Sequence, residues 1–338
     1  MISEIKVCLV GAGRAGMVHA NNIVYKIKNA VLAAIVDADP DFVKERKKEL
    51  GVERGFTSID DALSSESFDA VVIATPTFTH KELIVNSAEA KKHIFCEKPM
   101  TITEADGEEI LEAVKKNNVK LQIGFMRRFD PLFVHAKEMI DGGSLGEVMI
   151  IKSVGRGPGL PPTWANDMSK SNGMLGEVNS HDFDSTRWLA NSEYSRIYAE
   201  AVNRKVKKYK KEFPDFYDNA VCTVRFKNDI IGTIDGTCPV DYGYDARTEI
   251  VLTKGLIVIG EIKSEALLSC DINGNIKNRA FKSWRNRFKE AYLEEMRHFI
   301  DCIINDKIPF VTGEDGLAAV KAVVAANKSI KTGMPVEL

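Results

Sequence analysis

The spacing of hydrophobic positions changes near residue 125 and divides the chain into two patterns. Before that point, short continuous apolar runs alternate with longer stretches in which apolar residues recur every three or four positions. Continuous apolar runs are typical of strands buried in a parallel sheet, and the longer spacing is typical of amphipathic helices. The strands predicted in this way are residues 7–10, 31–36, 69–75, 94–96 and 120–125, and the helices are residues 41–50, 59–65, 79–92 and 103–117.

This alternation predicts an α/β domain over residues 1–124. Counting a third strand that no apolar run delimits, between residues 50 and 59, and a helix that follows Gly16, six strands with five intervening helices or short turns make a doubly wound parallel sheet, the Rossmann arrangement. Ligands of such sheets bind at the carboxyl ends of the strands. The candidate ligand loops therefore begin after Val10, Val36, Thr75, Cys96 and Phe125.

From Gly146 onward, apolar and polar residues alternate, which is typical of strands with one buried face. We expect residues 125–338 to form an α+β domain with a large, mostly antiparallel open sheet. Its predicted strands are 147–154, 194–203, 219–226, 230–237, 247–253 and 255–260, and its predicted helices are 132–141, 290–305 and 315–332. Because an open sheet face often packs against another subunit, we expect a homo-oligomer formed through this sheet.

The first predicted strand leads into a glycine-rich turn, Lys6-Val-Cys-Leu-Val-Gly-Ala-Gly-Arg-Ala-Gly16. Gly11, Gly13 and Gly16 complete the pattern G-x-G-x-x-G between a strand and a helix. One glycine permits the tight turn, the second admits a pyrophosphate close to the backbone, and the third lets the helix pack on the strand. The sequence therefore predicts a dinucleotide site here; a purely structural turn is the alternative.

Asp37 ends the second predicted strand, about twenty residues after the last glycine, where the dinucleotide motif expects a carboxylate. A carboxylate binds the ribose 2′-hydroxyl of NAD and repels the 2′-phosphate of NADP. We therefore predict NAD as the cofactor, with NADP less favoured. The alternative is that Asp37 only caps the helix that starts near Pro40.

Two further ligand loops carry specific residues. Thr75-Pro-Thr-Phe-Thr-His80 follows the fourth predicted strand, and Glu97-Lys98-Pro99 follows the fifth. Together with the glycine pattern, A-T-P-x-x-x-H and E-K-P resemble the glucose–fructose oxidoreductase / inositol dehydrogenase (Gfo/Idh/MocA) family over essentially the whole chain. In that family the lysine contacts both substrate and nicotinamide, and the peptide bond of the proline is often cis.

The resemblance implies a set of residues that contact the cofactor. They are residues of the three loops just described together with Asp37 at the end of the second strand: Gly11, Gly13, Arg14, Ala15, Asp37, Thr75, Pro76, Thr77, His80, Glu97 and Lys98. His80 is the member for which a loop-holding role is the stronger alternative. The histidines His19, His93, His135 and His298 are interpreted as structural.

In the second domain, residues 171–184, Ser-Asn-Gly-Met-Leu-Gly-Glu-Val-Asn-Ser-His-Asp-Phe-Asp, resemble the family segment G-G-x-x-x-D-x-x-x-H-D-x-D. His181 matches the histidine and Glu177 stands where the family has aspartate, so the carboxylate is kept on a longer side chain. Asn172 replaces the first glycine. A helix starting here would place Glu177 and His181, four residues apart, on one face.

The chemistry expected of these residues is the oxidation of a secondary alcohol. A base must accept the hydroxyl proton, and histidine, which titrates near neutrality, suits that role. A nearby cation stabilises developing alkoxide character. We therefore predict His181 as base, Lys98 as alkoxide stabiliser and Glu177 as an orienting or substrate-binding carboxylate. A packing or capping role for His181 is the alternative.

Four other residues are candidates for substrate binding, each with a structural alternative. Arg127 could bind hydroxyls or form an ion pair at a domain interface. Trp164 follows Pro161-Pro162 in a predicted loop, where it could instead serve loop packing. Tyr242 and Tyr244 lie in Y-G-Y-D-x-R, which resembles a segment of inositol dehydrogenases, and could reach the substrate or pack against a strand.

The expected function is therefore an NAD-dependent dehydrogenase that oxidises a cyclic polyol or sugar, inositol or a pyranose being typical of the family. Some family members use tightly held NAD for transient oxidation during glycoside hydrolysis, and the replacement of the family aspartate by Glu177 leaves that alternative open. A non-catalytic NAD-binding or sugar-sensing regulator is a third possibility, which the retention of Lys98 and His181 disfavours. The resemblance also implies a dimer or tetramer.

Composition narrows the classes of binding partner and the cellular location that we expect. The 338 residues carry a formal net charge of −2 with 44% hydrophobic residues, which favours neither nucleic acid nor membrane as a partner. The basic run 204–211 is interpreted as an exposed loop or edge strand rather than a nucleic-acid site. Six scattered cysteines without C-x-x-C spacing predict reduced thiols in a cytoplasmic protein, and no metal site is expected. Because residues 1–10 already lead through the first predicted strand, no signal peptide is expected.

Overall fold

The structure is a computed structural model that describes residues 4–65 and 67–338. Contacts between residues divide it into two compact units. The first unit runs up to Phe129 and also contains Glu290–Val320, and the second contains Asp130–Lys289 and Lys321–Leu338. The predicted domain boundary at 124/125 stays a prediction, and the structure adds that a segment near the C-terminus returns to the first unit.

The first unit is built on a six-stranded parallel sheet with the strand order β3-β2-β1-β4-β5-β6. Such an order, with helices as crossovers, is the doubly wound arrangement that the sequence predicts. The strands are β1 (Ile5–Val10), β2 (Ala30–Val36), β3 (Arg54–Phe56), β4 (Ala70–Ile73), β5 (His93–Glu97) and β6 (Leu121–Gly124), and the helices between them are α1 (Gly16–Lys26), α2 (Pro40–Leu50), α3 (Ile59–Ser64), α4 (His80–Glu89) and α5 (Glu104–Asn117).

The third strand could not be placed from the sequence pattern because it is only three residues long and carries no apolar run. Arg54, Gly55 and Phe56 pair in parallel with the last residues of β2. A Cβ atom on Gly55 would lie 2.5 Å from side-chain carbons of Val43 and Lys47 on α2. The strand therefore exists because a glycine lets α2 lie close over it.

Short polar side chains fix where the helices begin. Ser58 accepts a hydrogen bond from the backbone N–H of Asp60 and caps α3. Asp39 accepts hydrogen bonds from the N–H groups of Asp41 and Phe42 and caps α2. The alternative interpretation of Asp37 as the cap of this helix is therefore wrong, and its carboxylate is available for another role.

Apolar side chains cover both faces of the parallel sheet. One face packs against α3, α4 and α5, and the other packs against α1. The second face is also covered by the helix Lys289–Ile304, which contributes Met296, Phe299 and Ile300. The side chain of Gln122 on β6 donates a hydrogen bond of 2.8 Å to the backbone oxygen of Glu295 on that helix. This explains why residues near the C-terminus belong to the first unit.

The second unit contains a seven-stranded sheet with the order β12-β11-β7-β10-β9-β8-β15. All its strand pairs are antiparallel except β7 with β10, which confirms the mostly antiparallel sheet. The strands are β7 (Val148–Arg156), β8 (Tyr194–Val202), β9 (Asn219–Phe226), β10 (Ile231–Thr237), β11 (Asp245–Leu252), β12 (Gly255–Ile259) and β15 (Val336–Glu337), and β13 (Ser269–Cys270) pairs with β14 (Ile276–Lys277) as a separate hairpin.

The remaining helices follow the chain order. Helix α6 (Pro131–Asp141) precedes β7, and the Asp130 side chain caps it by accepting from the N–H groups of Leu132 and Phe133. Between β7 and β8 lie α7 (Met168–Ser171), α8 (Gly173–Glu177) and α9 (Ser180–Ala190). After the β13–β14 hairpin follow α10 (Trp284–Arg287), α11 (Lys289–Ile304) and α12 (Gly313–Thr332). The closing helices predicted at 290–305 and 315–332 are thus confirmed as α11 and α12.

The basic run forms part of the connection between β8 and β9, as the loop interpretation predicts. Strand β8 ends at Val202, and the backbone N–H groups of Arg204, Lys205 and Val206 donate to the carboxylate of Asp218 at 2.7–2.8 Å. All six cysteines are free thiols, five of them buried. In residues 4–65 and 67–338, no helix has the length and apolar character needed to span a bilayer.

Candidate functional site

The glycine-rich turn joins β1 to α1 at the carboxyl end of the parallel sheet. Gly11 has φ +92°, a conformation that favours glycine, and a Cβ atom there would lie 2.7 Å from the carbonyl oxygen of Ala74. A Cβ atom on Gly16 would overlap the carbonyl oxygen of Gly11. Packing therefore requires both glycines. Gly13 is different, because nothing lies within 4 Å of its Cβ position and a ligand can approach the backbone there.

Asp37 lies beside this turn at the end of β2. Its Oδ2 accepts a hydrogen bond of 2.8 Å from the backbone N–H of Ala12, and its Oδ1 accepts one of 3.1 Å from Asp39. The side chain is half-buried, so the carboxylate is held against the turn without being sealed from solvent. Together with the open side of Gly13, this arrangement fits the pyrophosphate and ribose of a dinucleotide.

His80 connects the two other predicted loops. Its Nδ1 lies 2.8 Å from the carbonyl oxygen of Pro99, and its Nε2 lies 2.9 Å from that of Thr75. The ring is buried, and burial lowers the pKa of His80 while the two carbonyl groups oppose that shift. His80 therefore ties the loop after β4 to the loop after β5, and a cofactor contact by its side chain stays a prediction.

The loop after β5 contains the half-buried Lys98 and a cis peptide bond between Lys98 and Pro99, as the resemblance implies. The preceding residue, Glu97, is buried, and its Oε1 lies 2.7 Å from Nε2 of His19 on α1. The structural interpretation of His19 is therefore confirmed. The side chain of Glu97 points to His19 and is already hydrogen-bonded, so any cofactor contact from this residue would involve its backbone.

In the second unit, Glu177 and His181 do not share a helix, and the prediction that one helix carries both is wrong. Helix α8 ends at Glu177, and α9 begins at Ser180. The break arises at Asn179, whose carbonyl accepts the first hydrogen bonds of α9 from Asp182 and Phe183. The half-buried Glu177 and the buried His181 are therefore positioned by different elements.

The residues around His181 are anchored to the sheet. Asp182 accepts a hydrogen bond of 2.6 Å from the Ser153 hydroxyl on β7, and the Asn179 amide donates to Asp182 at 2.9 Å. Gly155 and Gly236, which pair in register on β7 and β10, leave the space that this segment occupies. A Cβ atom on Gly236 would lie 2.8 Å from Cγ of Asn179. Small residues in adjacent strands thus admit the polar segment that carries His181.

The other predicted substrate residues have varied surroundings. Arg127 is buried, and Trp164 is half-buried in a single turn, Thr163–Asn166. Tyr242 is 45% exposed, and its hydroxyl donates to Asp245 at 2.9 Å and accepts from Arg156 at 3.3 Å. The ring of Tyr244 lies edge-on to Phe288, with 6.2 Å between ring centroids. Tyr242 therefore presents a fixed hydroxyl at the surface of the second unit, whereas Tyr244 packs.

Two family models match the chain with the same division that its sheets show. The model described as oxidoreductase family, NAD-binding Rossmann fold, matches residues 5–125. The model described as oxidoreductase family, C-terminal alpha/beta domain, matches residues 137–338. The chain belongs to the Gfo/Idh/MocA oxidoreductase family.

Relatives in this Gfo/Idh/MocA family match the chain from end to end. Myo-inositol 2-dehydrogenase of Thermotoga maritima is 33% identical over 337 residues, which cover 99% of this chain and 98% of that protein. The scyllo-inositol 2-dehydrogenase (NAD(+)) of Bacillus subtilis is 32% identical over 340 residues, covering 100% and 97%. The structure of scyllo-inositol dehydrogenase from Lactobacillus casei with bound NAD(H) and scyllo-inositol is 29% identical, covers 99% of both chains and has a TM-score of 0.92.

The family match identifies NAD as the cofactor of the first unit, in agreement with the open side of Gly13 and the carboxylate of Asp37. Sequence analysis missed the anchoring of His181 through Asn179 and Asp182. A sequence signal was present in Gly236, inside the strand predicted at 230–237, and in Gly155, directly after the strand predicted at 147–154, since glycine inside a strand often marks a close approach.

We expect Gly155→Ala to lower the free energy of unfolding by about 1–3 kcal/mol, because its Cβ atom would overlap the Asp182 carboxylate and lie 2.7 Å from Nδ2 of Asn179. Urea unfolding measures the change, and NMR of the His181 ring reports its displacement. Gly157→Ala is the matched control, since its nearest neighbour is Sγ of Cys238 at 3.6 Å, an ordinary contact. Equal stability of both variants would contradict the anchoring.

Proposed function

We propose that this protein is an NAD-dependent dehydrogenase that oxidises a secondary hydroxyl of a cyclic polyol, inositol being the leading substrate. The observation that supports this most strongly is the end-to-end similarity to proteins named inositol dehydrogenases, including one whose structure holds NAD(H) and scyllo-inositol. The glycine turn and Asp37 supply the matching cofactor site in this chain. No feature of the described residues favours glycoside hydrolysis or a non-catalytic role over this reaction.

We propose that His181 accepts the proton of the reacting hydroxyl, because neutral imidazole is a base suited to neutral pH. When bound, NAD accepts the hydride from the carbinol carbon. Lys98 stabilises the developing negative charge on the oxygen through its ammonium group. Lys98 and His181 belong to different units, so the roles assigned to them rest on the family motifs E-K-P and H-D-x-D that both residues complete.

We propose that Glu177 binds or orients the substrate, in place of the aspartate of the family pattern. It ends α8, next to the break at Asn179, so its longer side chain extends from a helix terminus. Arg127, Trp164, Tyr242 and Tyr244 remain proposed substrate contacts. Among these, Tyr242 offers the clearest geometry, because Arg156 and Asp245 hold its hydroxyl.

The remaining proposed cofactor contacts lie on the loops at the carboxyl ends of β1, β4 and β5. Arg14 is exposed and Ala15 half-buried at the start of α1, where backbone N–H groups attract phosphate. After β4 the contacts are the half-buried Thr75 and Pro76 and the buried Thr77, and after β5 they include Lys98.

Lys98→Met is expected to lower kcat by about 10²–10³-fold with the best inositol isomer and NAD, because a group that stabilises the transition state is lost. The measurement is the appearance of reduced-nicotinamide absorbance with a panel of inositols, aldoses and glycosides. Lys116→Met, at an exposed position on α5, should retain full activity. Absence of turnover with every free polyol, combined with cleavage of a glycoside, would replace the proposal by NAD-dependent hydrolysis.

Asp37→Asn is expected to reduce the preference for NAD over NADP by at least about tenfold in kcat/KM, because the amide keeps hydrogen-bonding capacity and removes the charge that repels a 2′-phosphate. Asparagine can still accept from the N–H of Ala12, so the turn should survive. The measurement compares kcat/KM for both cofactors in both proteins. An unchanged ratio would contradict the assignment of Asp37.

We also propose that the open face of the seven-stranded sheet forms a homo-oligomer, as a dimer or tetramer. Register places Leu256, Val251, Ile150 and Ile231 in one row across four strands, and Leu256 and Ile231 are 57% and 45% exposed. An apolar row of this kind on a solvent-facing sheet is a candidate interface. The free thiols fit a reducing compartment, which supports a cytoplasmic location.

Leu256→Lys should shift the protein to a smaller species in sedimentation velocity, since an interface centre does not accept an unpaired charge. Ile308→Lys is the control, because Ile308 is 82% exposed and belongs to the first unit, which does not contain this sheet. An oligomer that survives Leu256→Lys and dissociates with Ile308→Lys would contradict the proposed face.

A further inference from the structure

The first unit contains a buried polar cluster that the proposed reaction does not use. It consists of His19 on α1, Glu97 at the end of β5 and Glu295 on α11, and one side-chain nitrogen or oxygen from each lies within 4.8 Å of the others. His19 and Glu295 have no exposed surface, and Glu97 is 6% exposed. These three residues, called the His19 cluster below, come from widely separated parts of the sequence.

Apolar side chains enclose the His19 cluster. The imidazole lies edge-on to Phe95, with 4.8 Å between ring centroids, and to Tyr292, with 5.7 Å. Met296 and Phe299 of α11 belong to the same apolar layer. In such surroundings an ionised carboxylate is costly unless it is paired and hydrogen-bonded.

The two carboxyl groups of the cluster differ in their bonding. Glu97 lies 2.7 Å from Nε2 of His19, whereas neither carboxyl oxygen of Glu295 has a hydrogen-bond partner among the described residues. Burial, together with the negative charge of Glu97, raises the pKa of Glu295 well above 4.5. A proton on Glu295 removes the repulsion between two neighbouring buried carboxylates.

A metal ion is the other way to neutralise such a cluster, and the geometry disfavours it. Nε2 of His19 and Oε1 of Glu97 are 2.7 Å apart, which is a hydrogen-bond distance. Two ligands of a tetrahedral zinc ion with bonds of about 2.0 Å stand about 3.3 Å apart. The same two atoms cannot hold both a direct hydrogen bond and a metal ion, so a proton is the better occupant.

The His19 cluster is attached to the loop that carries Lys98. Glu97 is the residue before Lys98, and its Oε2 would lie 3.2 Å from a Cβ atom on Gly124, its register partner on β6. On the other side of the cluster, Gln122 of β6 is hydrogen-bonded to the backbone oxygen of Glu295. The Glu97 side chain is therefore enclosed by α1, β6 and α11, and its position sets where the following residue leaves the strand.

We propose that Glu295 is a positioning residue that carries a proton at neutral pH and, as a neutral acid, fills the space beside Glu97 and His19 without repelling the Glu97 carboxylate, so that the His19–Glu97 hydrogen bond that places Lys98 is kept. The role of Lys98 in catalysis belongs to the proposed function; the proton on Glu295 does not depend on it. Four measurements separate the two, because only the last requires a substrate.

The pH dependence of stability tests the proton. The titratable groups facing Glu295 are His19 from α1 and Glu97 from β5, with Tyr292 on its own helix, while β6 contributes the non-titrating Gln122. A carboxyl group whose pKa is raised on folding binds more protons in the folded state, so stability falls as pH rises above about 4.5 until the folded pKa is reached. Glu295→Gln removes this loss.

The melting temperature of Glu295→Gln should therefore rise relative to that of the unsubstituted protein as the pH increases from 5, by up to about 2 °C per pH unit, and the two melting temperatures should be closest near pH 5. The exposed neighbour gives the control Glu294→Gln, for which the difference should not change with pH. Infrared difference spectra at pH 7 should show the carbonyl band of a protonated carboxyl group in the unsubstituted protein and its loss in Glu295→Gln. A pH-independent difference without that band would overturn the proposal.

Chemical labelling tests the positioning of Lys98 without a substrate. The rate of acylation of the Lys98 amine, followed by peptide mass spectrometry as a function of pH, should agree within twofold between Glu295→Gln and the unsubstituted protein. It should change by at least about fivefold in Glu295→Ala, which removes both the acid and its packing. Equal rates in all three proteins would show that Glu295 does not position Lys98.

Turnover gives the last comparison. With an active polyol, Glu295→Gln should keep kcat within twofold, while Glu295→Ala should lower kcat by at least tenfold at nearly unchanged KM. If Glu295→Gln lost as much activity as Glu295→Ala, an ionised carboxylate would be required, and the proposal that Glu295 acts as a neutral acid would be overturned. If no polyol is oxidised, the proposed function fails while the melting, infrared and labelling results still decide the role of Glu295.

Discussion

Close approach to glycine determines where the candidate residues stand in both units. In the first unit α1 packs so near β1 that a Cβ atom on Gly16 would overlap the Gly11 carbonyl oxygen. In the second unit Gly155 and Gly236, side by side on β7 and β10, make room for the segment that carries His181. The proposed nucleotide turn and the proposed base, His181, thus depend on the same constraint, since both require backbone positions that carry no side chain.

Buried hydrogen bonds fix the position of the segments for which the glycines leave space. Asp182 is bonded to Ser153, His80 reaches the carbonyl oxygens of Thr75 and Pro99, and Glu97 is bonded to His19. In a low-dielectric interior such bonds are strong, and leaving a partner unsatisfied is costly. Lys98 and His181, the proposed alkoxide stabiliser and base, therefore each adjoin a residue that cannot easily move. Preorganisation of this kind is what electrostatic stabilisation of a transition state requires.

The sequence was sufficient where local pattern and chain position carry the information. The parallel strands, the cap at Ser58 and the closing helices α11 and α12 follow from periodicity and capping chemistry. The three-residue β3 did not, because it has no apolar run and depends on Gly55 under α2.

The larger differences come from contacts between distant parts of the chain. The spacing of Glu177 and His181 suggested one helix, but the capping of α9 by the Asn179 carbonyl divides it. Nothing local to Glu295 distinguishes it from the exposed Glu294 beside it, except helical phase. Its burial against His19 and Glu97 appears only when α11 returns to the first unit, which no local pattern encodes. The same long-range packing distinguishes Glu295 from its neighbour and is the basis for proposing that it carries a proton.

The candidate residues therefore differ in how firmly their surroundings hold them. Lys98 and His181 adjoin buried, hydrogen-bonded residues, so the fold holds the backbone in place at both positions. Trp164 lies in a single turn, and Tyr242 is 45% exposed and held only by Arg156 and Asp245 at the sheet surface. Substitutions at such positions alter polar contacts without disturbing a core. A fold built in this way can keep one hydride-transfer reaction and change its polyol, which is why the reaction class follows from this chain more directly than the isomer it oxidises.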